Sequence, residues 1–305
     1  MLAVLIALFL GSGWLYAFNA ERTHRHHNPF DADGVILKAE PQSLRRGSAT
    51  LVVLLHGFGA SPMTMAPIAE RFAAETDYDL WRPLLLDHGR TLAEFRTFAP
   101  SAIRDDFAAR LAERAADYER VVLVGHSFGG ALVSDLLTSG GLDPKVRTIL
   151  MAPAIHIPAD TPTNRIALGA FRLWSPYCDI VALGCGVPNP RASDGPVRAA
   201  IFAQNIFFYL VPDAVLRLFD YGASLTARVA AYPGRVDIVM ARDDGDVSFP
   251  ATEAMCASMA NCRLHALPSG SHLPQFGPSL DPLAAILIAL AADPAAVCGE
   301  GCDTL

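Results

Sequence analysis

Residues 121–129 form an apolar run that ends in the pattern Gly-x-Ser-x-Gly, and this stretch constrains the fold more than any other. Val121 to Val124 are typical of a buried β-strand, and the apolar residues after Gly129 are typical of a helix. The two glycines allow a sharp turn at which Cβ atoms would collide. Ser127 then lies at the tip of the turn, as in a nucleophile elbow. A glycine-rich turn with a capping serine is the alternative, but the flanking strand and helix favour a reactive serine.

A serine hydroxyl is a weak nucleophile, so a reactive Ser127 requires a base, a residue that orients the base and donors to an oxyanion. Residues 235–241 and 262–267 are both predicted to be strands, and a polar loop follows each of them. His272 lies in the Gly/Ser loop after the second strand and is the predicted general base. His265 lies within that strand, where a packed or solvent-facing imidazole is expected.

The orienting acid is sought in the loop after the first of these strands, which carries Asp243, Asp244 and Asp246. Each of the three also suits a plain turn, because aspartates are common turn formers. Asp244 stands where the chain should leave the sheet, and Val247 follows three residues later to pack the loop back. We therefore favour Asp244, with Asp246 second and Asp243 third.

The oxyanion donors are expected from two backbone positions. One is the N–H of Phe128, directly after the predicted nucleophile. The other is the N–H of Phe58 in the loop His56-Gly57-Phe58-Gly59, which follows a buried strand predicted over residues 49–55. His56 is expected to be structural, with its ring bonded to nearby backbone.

On these motifs the chain resembles the α/β-hydrolases, in particular carboxylesterase and monoacylglycerol-lipase-like members. The stretch of residues 80–89 is similar to the strand and Gly-His-Gly turn of those enzymes, with Asp87 in place of the first glycine. The resemblance covers residues 35–292. It implies a mostly parallel central sheet flanked by helices, with an inserted cap subdomain. The alternation of predicted strands and helices along the chain favours the same α/β architecture.

The resemblance also implies an acyl-enzyme mechanism without a cofactor or a metal. Ser127 attacks a carbonyl, His272 takes the serine proton, Asp244 holds the imidazole, and the N–H groups of Phe58 and Phe128 stabilise the oxyanion. The expected partner is a small-molecule ester or lipid with an apolar or glycerolipid-like acyl group. A thioesterase or amidase with the same triad is an alternative, and so is a non-catalytic binding protein with the same fold.

The chain is predicted to consist of six segments. An early strand is expected at Gly34–Lys38. The segment 153–233 is rich in proline and aromatic residues, which suggests a cap over the site. A net charge of −7 without a basic run argues against a nucleic-acid partner. The predicted segments are an apolar segment (1–18), a polar linker (19–33), the first half of the core (34–152), the cap (153–233), the second half of the core (234–293) and a cysteine-containing tail (294–305).

Residues 1–18 carry no charged side chain and would span about 27 Å as a helix, close to the roughly 30 Å of a hydrocarbon core. We therefore expect a transmembrane anchor, with a cleaved signal peptide as the alternative. Arg22 and Arg25 favour a cytoplasmic catalytic domain. The cysteines instead favour disulfides, and because two arginines beside a glutamate are the weaker signal, we expect the catalytic domain on the periplasmic or extracellular side. They form three local pairs, Cys178/Cys185, Cys256/Cys262 and Cys298/Cys302.

Overall fold

A mostly parallel sheet of seven strands forms the centre of the computed structural model, which describes residues 2–37, 39–181, 186–188 and 209–292. The order across the sheet is β1-β3-β2-β4-β5-β8-β9, and only β1 runs antiparallel to its neighbour. These strands are β1 (Gln42–Leu44), β2 (Thr50–Leu55), β3 (Asp79–Arg82), β4 (Arg120–His126), β5 (Val146–Met151), β8 (Val236–Ala241) and β9 (Cys262–Leu267).

Helices cover both faces of the sheet, as the α/β-hydrolase fold requires. The described helices are α1 (Leu2–His27), a 3₁₀ turn (Pro62–Met65), α2 (Ala66–Glu75), α3 (Leu92–Phe95), α4 (Pro100–Ala115), α5 (Phe128–Thr138), α6 (Pro162–Val181), α7 (Pro212–Ala230), α8 (Phe249–Ser258) and α9 (Leu280–Ala292). Side chains of α2 and α9 pack on one face, and those of α4, α5 and α7 pack on the other. The predicted fold class is confirmed.

The central strands are apolar on both sides because both sheet faces are covered. Every residue of β2 and of β8 is buried, as is every residue of β4 after Arg120. These strands are predominantly apolar, which is typical of parallel strands, and the buried Asp237 of β8 is paired with Arg147, Arg235 and His265. The carboxyl ends of parallel strands meet at one edge of the sheet, so the loops after β2, β4, β8 and β9 converge there.

Helices α6 and α7 lie between β5 and β8 in the chain, within the segment predicted as a cap. They contact each other, and a two-stranded pair of β6 (Val187–Pro188) with β7 (Tyr209–Leu210) lies between them in sequence. Helix α7 also packs against α5. The predicted insertion therefore contributes in part to the core around the nucleophile helix.

The expected strand at Gly34–Lys38 is wrong. Its described residues make one isolated bridge, between Ile36 and Phe30. The first strand of the sheet is instead the short edge strand β1, which pairs antiparallel with β3. The segment before it turns back on itself, since the N–H of Asp31 donates to the Val35 carbonyl and that of Leu37 to the Pro29 carbonyl.

The predicted transmembrane anchor is also wrong, and with it the membrane-anchored localisation. Among the described residues, none of the helices combines the length and the apolar character that a membrane span requires. Helix α1 packs on the protein through small residues, with Ala17 and Ala20 buried and no room for a Cβ at Gly13 beside Tyr177. The Glu21 carboxylate accepts the first N–H of α3.

One of the three predicted cysteine pairs is confirmed. Cys256 and Cys262 form a disulfide between α8 and the start of β9, with a Cα–Cα distance of 5.2 Å. Cys178 is buried in α6, and its predicted partner Cys185 lies outside the described residues. The predicted pair in the C-terminal tail also lies outside them.

Candidate active site

Strand β4 turns into α5 at Ser127, whose backbone is strained. Its φ of 53° and ψ of −116° lie in a region that non-glycine residues adopt at a cost of about 1–3 kcal/mol. Neighbouring backbone holds the residue there. The N–H of Ser127 donates to the Met151 carbonyl at 2.9 Å, and its carbonyl accepts from Ala154 at 2.9 Å. These two hydrogen bonds hold the strained backbone of Ser127 in place.

Both outer glycines of the motif are required by the packing of the turn. A Cβ on Gly125 would lie 2.5 Å from the carbonyl oxygen of Gly129. A Cβ on Gly129 would lie 2.6 Å from the carbonyl oxygen of His56. Both distances join a carbon to backbone atoms that cannot move away, so any larger residue would displace the elbow.

The predicted nucleophile, base and acid form one chain of hydrogen bonds. His272 Nε2 lies 2.8 Å from Ser127 Oγ, and His272 Nδ1 lies 2.9 and 3.1 Å from the two carboxylate oxygens of Asp244. A carboxylate only accepts, so we place the ring proton on Nδ1 and leave Nε2 as the acceptor for the hydroxyl. The Asp244 side chain is fully buried, and that of His272 is 15% exposed.

The three carboxylates after β8 have different positions. The side chain of Asp244 reaches the His272 ring, and its Oδ1 also accepts from the N–H groups of Asp246 and Val247 at 2.8 and 2.9 Å. Asp243 Oδ1 accepts from the Ser271 N–H at 3.0 Å. The loop therefore presents Asp244 to the imidazole and Asp243 to the backbone beside it.

The loop after β2 lies directly against the serine. A Cβ on Gly57 would lie 3.1 Å from Ser127 Cβ and 3.5 Å from its Oγ, so the backbone of this loop borders the reacting position. Phe58 follows Gly57 in this loop. Phe128 opens α5, where the first N–H groups have no partner within the helix. The assignment of the Phe58 and Phe128 N–H groups as oxyanion donors stays a prediction.

His56 is structural, as expected. Its Nε2 accepts from the Leu85 N–H at 3.1 Å, so the ring proton lies on Nδ1, which donates to the Gly57 carbonyl at 2.9 Å. Burial lowers the pKa of His56 well below its usual value, which keeps the ring neutral. His56 thereby connects the glycine loop to the segment after β3.

Aromatic rings surround the backbone of the predicted oxyanion donors. The half-buried Phe58 ring lies 5.1 Å from the rings of both Phe95 and Phe98, and Phe98 lies 4.8 Å from Phe128. The His88 ring stacks on Phe128 at 6.0 Å. Phe95, Phe98, Phe128 and His88 are fully buried, so Phe58 is the member of this aromatic cluster that keeps accessible surface.

His126, the residue before the predicted nucleophile, has a contact that sequence reasoning did not anticipate. Its Nε2 lies 2.9 Å from the backbone carbonyl of His272, to which it donates. Burial, followed by the charge of His272, lowers the pKa of His126 to about 3. The motif leaves this position open, so the available signal was one imidazole at the end of an otherwise apolar strand.

Comparison with known families agrees with this fold. The model of a family described as the alpha/beta hydrolase family matches residues 52–286. The chain belongs to the alpha/beta hydrolase family. A search of curated proteins finds no significant match.

Solved structures with the same fold include several described as lipases or esterases. One, from work on the metagenome-derived lipolytic enzymes LipS and LipT, has a TM-score of 0.66 at 20% identity and covers 85% of this chain and 99% of its own. An esterase from Exiguobacterium antarcticum has a TM-score of 0.62 at 15% identity, covering 83% and 95%. A monoacylglycerol lipase from Paleococcus ferrophilus has a TM-score of 0.59 at 14% identity, covering 83% and 98%. At these identities the likeness shows the fold alone.

Proposed function

We propose that the protein is a serine hydrolase that cleaves carboxylic esters with apolar or glycerolipid-like acyl groups. The observation that carries the proposal is the chain of hydrogen bonds from Asp244 through His272 to Ser127. A nucleophile, a base and an orienting acid in contact form the arrangement that activates a serine hydroxyl.

The first half of the reaction forms an acyl-enzyme. Ser127 Oγ attacks the carbonyl carbon while His272 Nε2 takes the serine proton, and Asp244 stabilises the resulting imidazolium. The N–H groups of Phe58 and Phe128 donate to the oxyanion of the tetrahedral intermediate. The ester C–O bond then breaks, and His272 returns the proton to the departing alkoxide.

The second half releases the acid. His272 accepts a proton from a water molecule as that water attacks the acyl carbon. Collapse of this second intermediate breaks the bond to Ser127 Oγ, which regains its proton from His272. The products are a carboxylic acid and the free enzyme.

The aromatic cluster supports the choice of apolar acyl groups. Phe58 follows Gly57, which borders Ser127, and its half-buried ring packs on the fully buried Phe95 and Phe98. Phe58 therefore offers apolar surface close to the nucleophile. Apolar walls with few polar groups are typical of sites for apolar ligands. The lipolytic enzymes and the monoacylglycerol lipase of the same fold agree with this substrate class.

Covalent labelling with a fluorophosphonate probe, combined with turnover of p-nitrophenyl esters from acetate to laurate, tests the proposal. We expect the wild type to label and to turn over esters, with a preference for the longer acyl groups. Ser127→Ala should not label and should lose at least about 10⁴-fold in kcat. A folded wild-type protein that neither labels nor turns over any ester would contradict the proposal and favour a binding protein. Thioester and amide substrates distinguish the related hydrolases.

A further inference from the structure

The backbone on both sides of the His272 side chain is held by other side chains. On one side, the Ser271 N–H donates to Asp243 Oδ1 at 3.0 Å. On the other, the His272 carbonyl accepts from His126 Nε2 at 2.9 Å. We propose that His126 and Asp243 are positioning residues that fix the distance between His272 and Ser127. This inference rests on the proposed function.

The loop that carries His272 needs such support. Ser271 has a φ of 54° and Gly270 a φ of 142°, so two successive residues before His272 lie in the positive-φ region. A non-glycine residue keeps such a conformation only when its surroundings hold it. The bond from Ser271 to Asp243 supplies that restraint at the strained residue itself.

His126 is located where it can fix the position of His272 relative to the proposed nucleophile, Ser127. It directly precedes Ser127 in the chain and ends β4, where it is in register with Met151 of β5. A hydrogen bond from its ring to the His272 carbonyl therefore ties the base to the residue beside the nucleophile. Misplacement of a reacting group by about 1 Å can cost about 10²-fold in rate, so a short, direct connection matters.

The hydrogen bonding of His126 also indicates a role for its Nε2. Its Nδ1 is buried and has no hydrogen-bond partner among the described residues. A buried polar atom without a partner costs free energy, and a leucine in this strand would avoid that cost. The bond to His272 is the interaction that compensates for it. Because the pKa of His126 is about 3, the ring stays a neutral donor throughout the range in which an ordinary histidine titrates.

Asp243 contributes from the opposite side through an exposed carboxylate. It is the neighbour of Asp244, so a single turn after β8 holds both the ring of His272 and the backbone N–H of the preceding Ser271. The hydrogen bond to the Ser271 N–H does not require a negative charge, because the side-chain oxygen of an asparagine accepts the same N–H.

Four variants in two matched pairs test the inference. His126→Leu removes the donor, whereas His126→Gln keeps an amide N–H close to the position of Nε2. Asp243→Ala removes the acceptor, whereas Asp243→Asn keeps it without the charge. We expect kcat to fall about tenfold in His126→Leu and in Asp243→Ala, with KM within about twofold of the wild type. The Gln and Asn variants should retain activity within about threefold of the wild type.

Each outcome bears on one statement. An inactive wild type contradicts the proposed function, and the wild type is therefore assayed first. With an active wild type, an unchanged kcat in both His126→Leu and Asp243→Ala overturns the positioning role. Equal losses in Asp243→Ala and Asp243→Asn assign Asp243 an effect of charge instead. If His126→Leu has a lower melting temperature but an unchanged kcat at temperatures at which it is folded, His126 has a structural role only. If His126→Leu does not fold, the Asp243 variants still test the inference, because Asp243 is exposed.

Discussion

At the scale of single residues, some members of the candidate site could be predicted from sequence motifs, whereas others became evident only in the folded structure. The roles of Ser127 and His272 were predicted from a strand, a turn and the order of residues that the reaction needs. The contact of His126 with His272 joins the ends of β4 and β9, which no local pattern relates. The contact of Asp243 was not predicted either, because it joins the loop after β8 to backbone in the loop after β9.

Asp244→Asn should lower kcat by about 10⁴-fold, because the amide favours the wrong imidazole tautomer while leaving the geometry similar. Steady-state kinetics on a p-nitrophenyl ester measure the effect. Asp246→Asn is the matched control, because that residue supplies a backbone N–H to Asp244, and its kcat should stay within about threefold. The reverse ranking would reassign the acid to Asp246.

At the scale of elements, the sequence predicted the long apolar strands and failed at the sheet edge. Strands β2, β4 and β8 are predominantly apolar, as is typical of parallel strands buried on both faces, although β8 also carries the buried Asp237. The edge strand β1 has three residues, none of them buried, and no pattern to distinguish it from the loop. The β-like run near Ile36 was chosen instead, although it packs as a turn.

Removal of the Cys256–Cys262 disulfide should lower the free energy of unfolding by about 2 kcal/mol, because the short loop that it closes regains conformational freedom when unfolded. Denaturant unfolding of the Cys256→Ser/Cys262→Ser protein, with and without reductant, measures the change. The wild type should respond to reductant and the double variant should not. We expect an unchanged kcat/KM at low temperature, and a loss there would mean that the bond also shapes the site.

At the scale of the whole molecule, stability should decline as the pH falls from about 6.5 towards 4. Burial lowers the pKa of His24 and of His88 to about 4 and that of His126 to about 3. Below the unfolded value of 6.5, the unfolded chain therefore binds protons that the folded chain does not. Each such histidine contributes a loss of about 1.4 kcal/mol per pH unit across this window.

Denaturant unfolding at several pH values between 7 and 4 (an interval chosen around the ordinary histidine pKa of about 6.5) tests this prediction. His88→Asn is the control, because its amide can still donate to the Leu86 carbonyl as His88 Nδ1 does, yet it does not titrate. Its stability should decline less steeply than that of the wild type. Parallel curves for the two proteins would show that His88 does not drive the pH dependence.

The whole molecule also explains why the N-terminal prediction failed. An apolar run of 18 residues suits a hydrocarbon core, but its sequence does not say which surface covers it. The small residues Gly13, Ala17 and Ala20 recur at helical spacing, and α1 uses them to approach the protein closely. The small side chains on one face of α1 indicate packing against the protein, whereas the apolar character of the whole segment does not distinguish this from a membrane span.

The position of β8 beside β5 has a consequence for how activity is acquired. These strands are neighbours in the sheet, yet the whole segment from α6 to α7 separates them in the chain. Pairing them closes a long loop. Such contacts form slowly, because the chain loses conformational entropy on closing the loop before the new contacts contribute stabilising free energy. Ser127 belongs to the half that pairs early, whereas Asp244 and His272 arrive with the second half. If Ser127 is the nucleophile, as proposed, newly synthesised chains hold it without its base and acid until the last part of the sheet is in place.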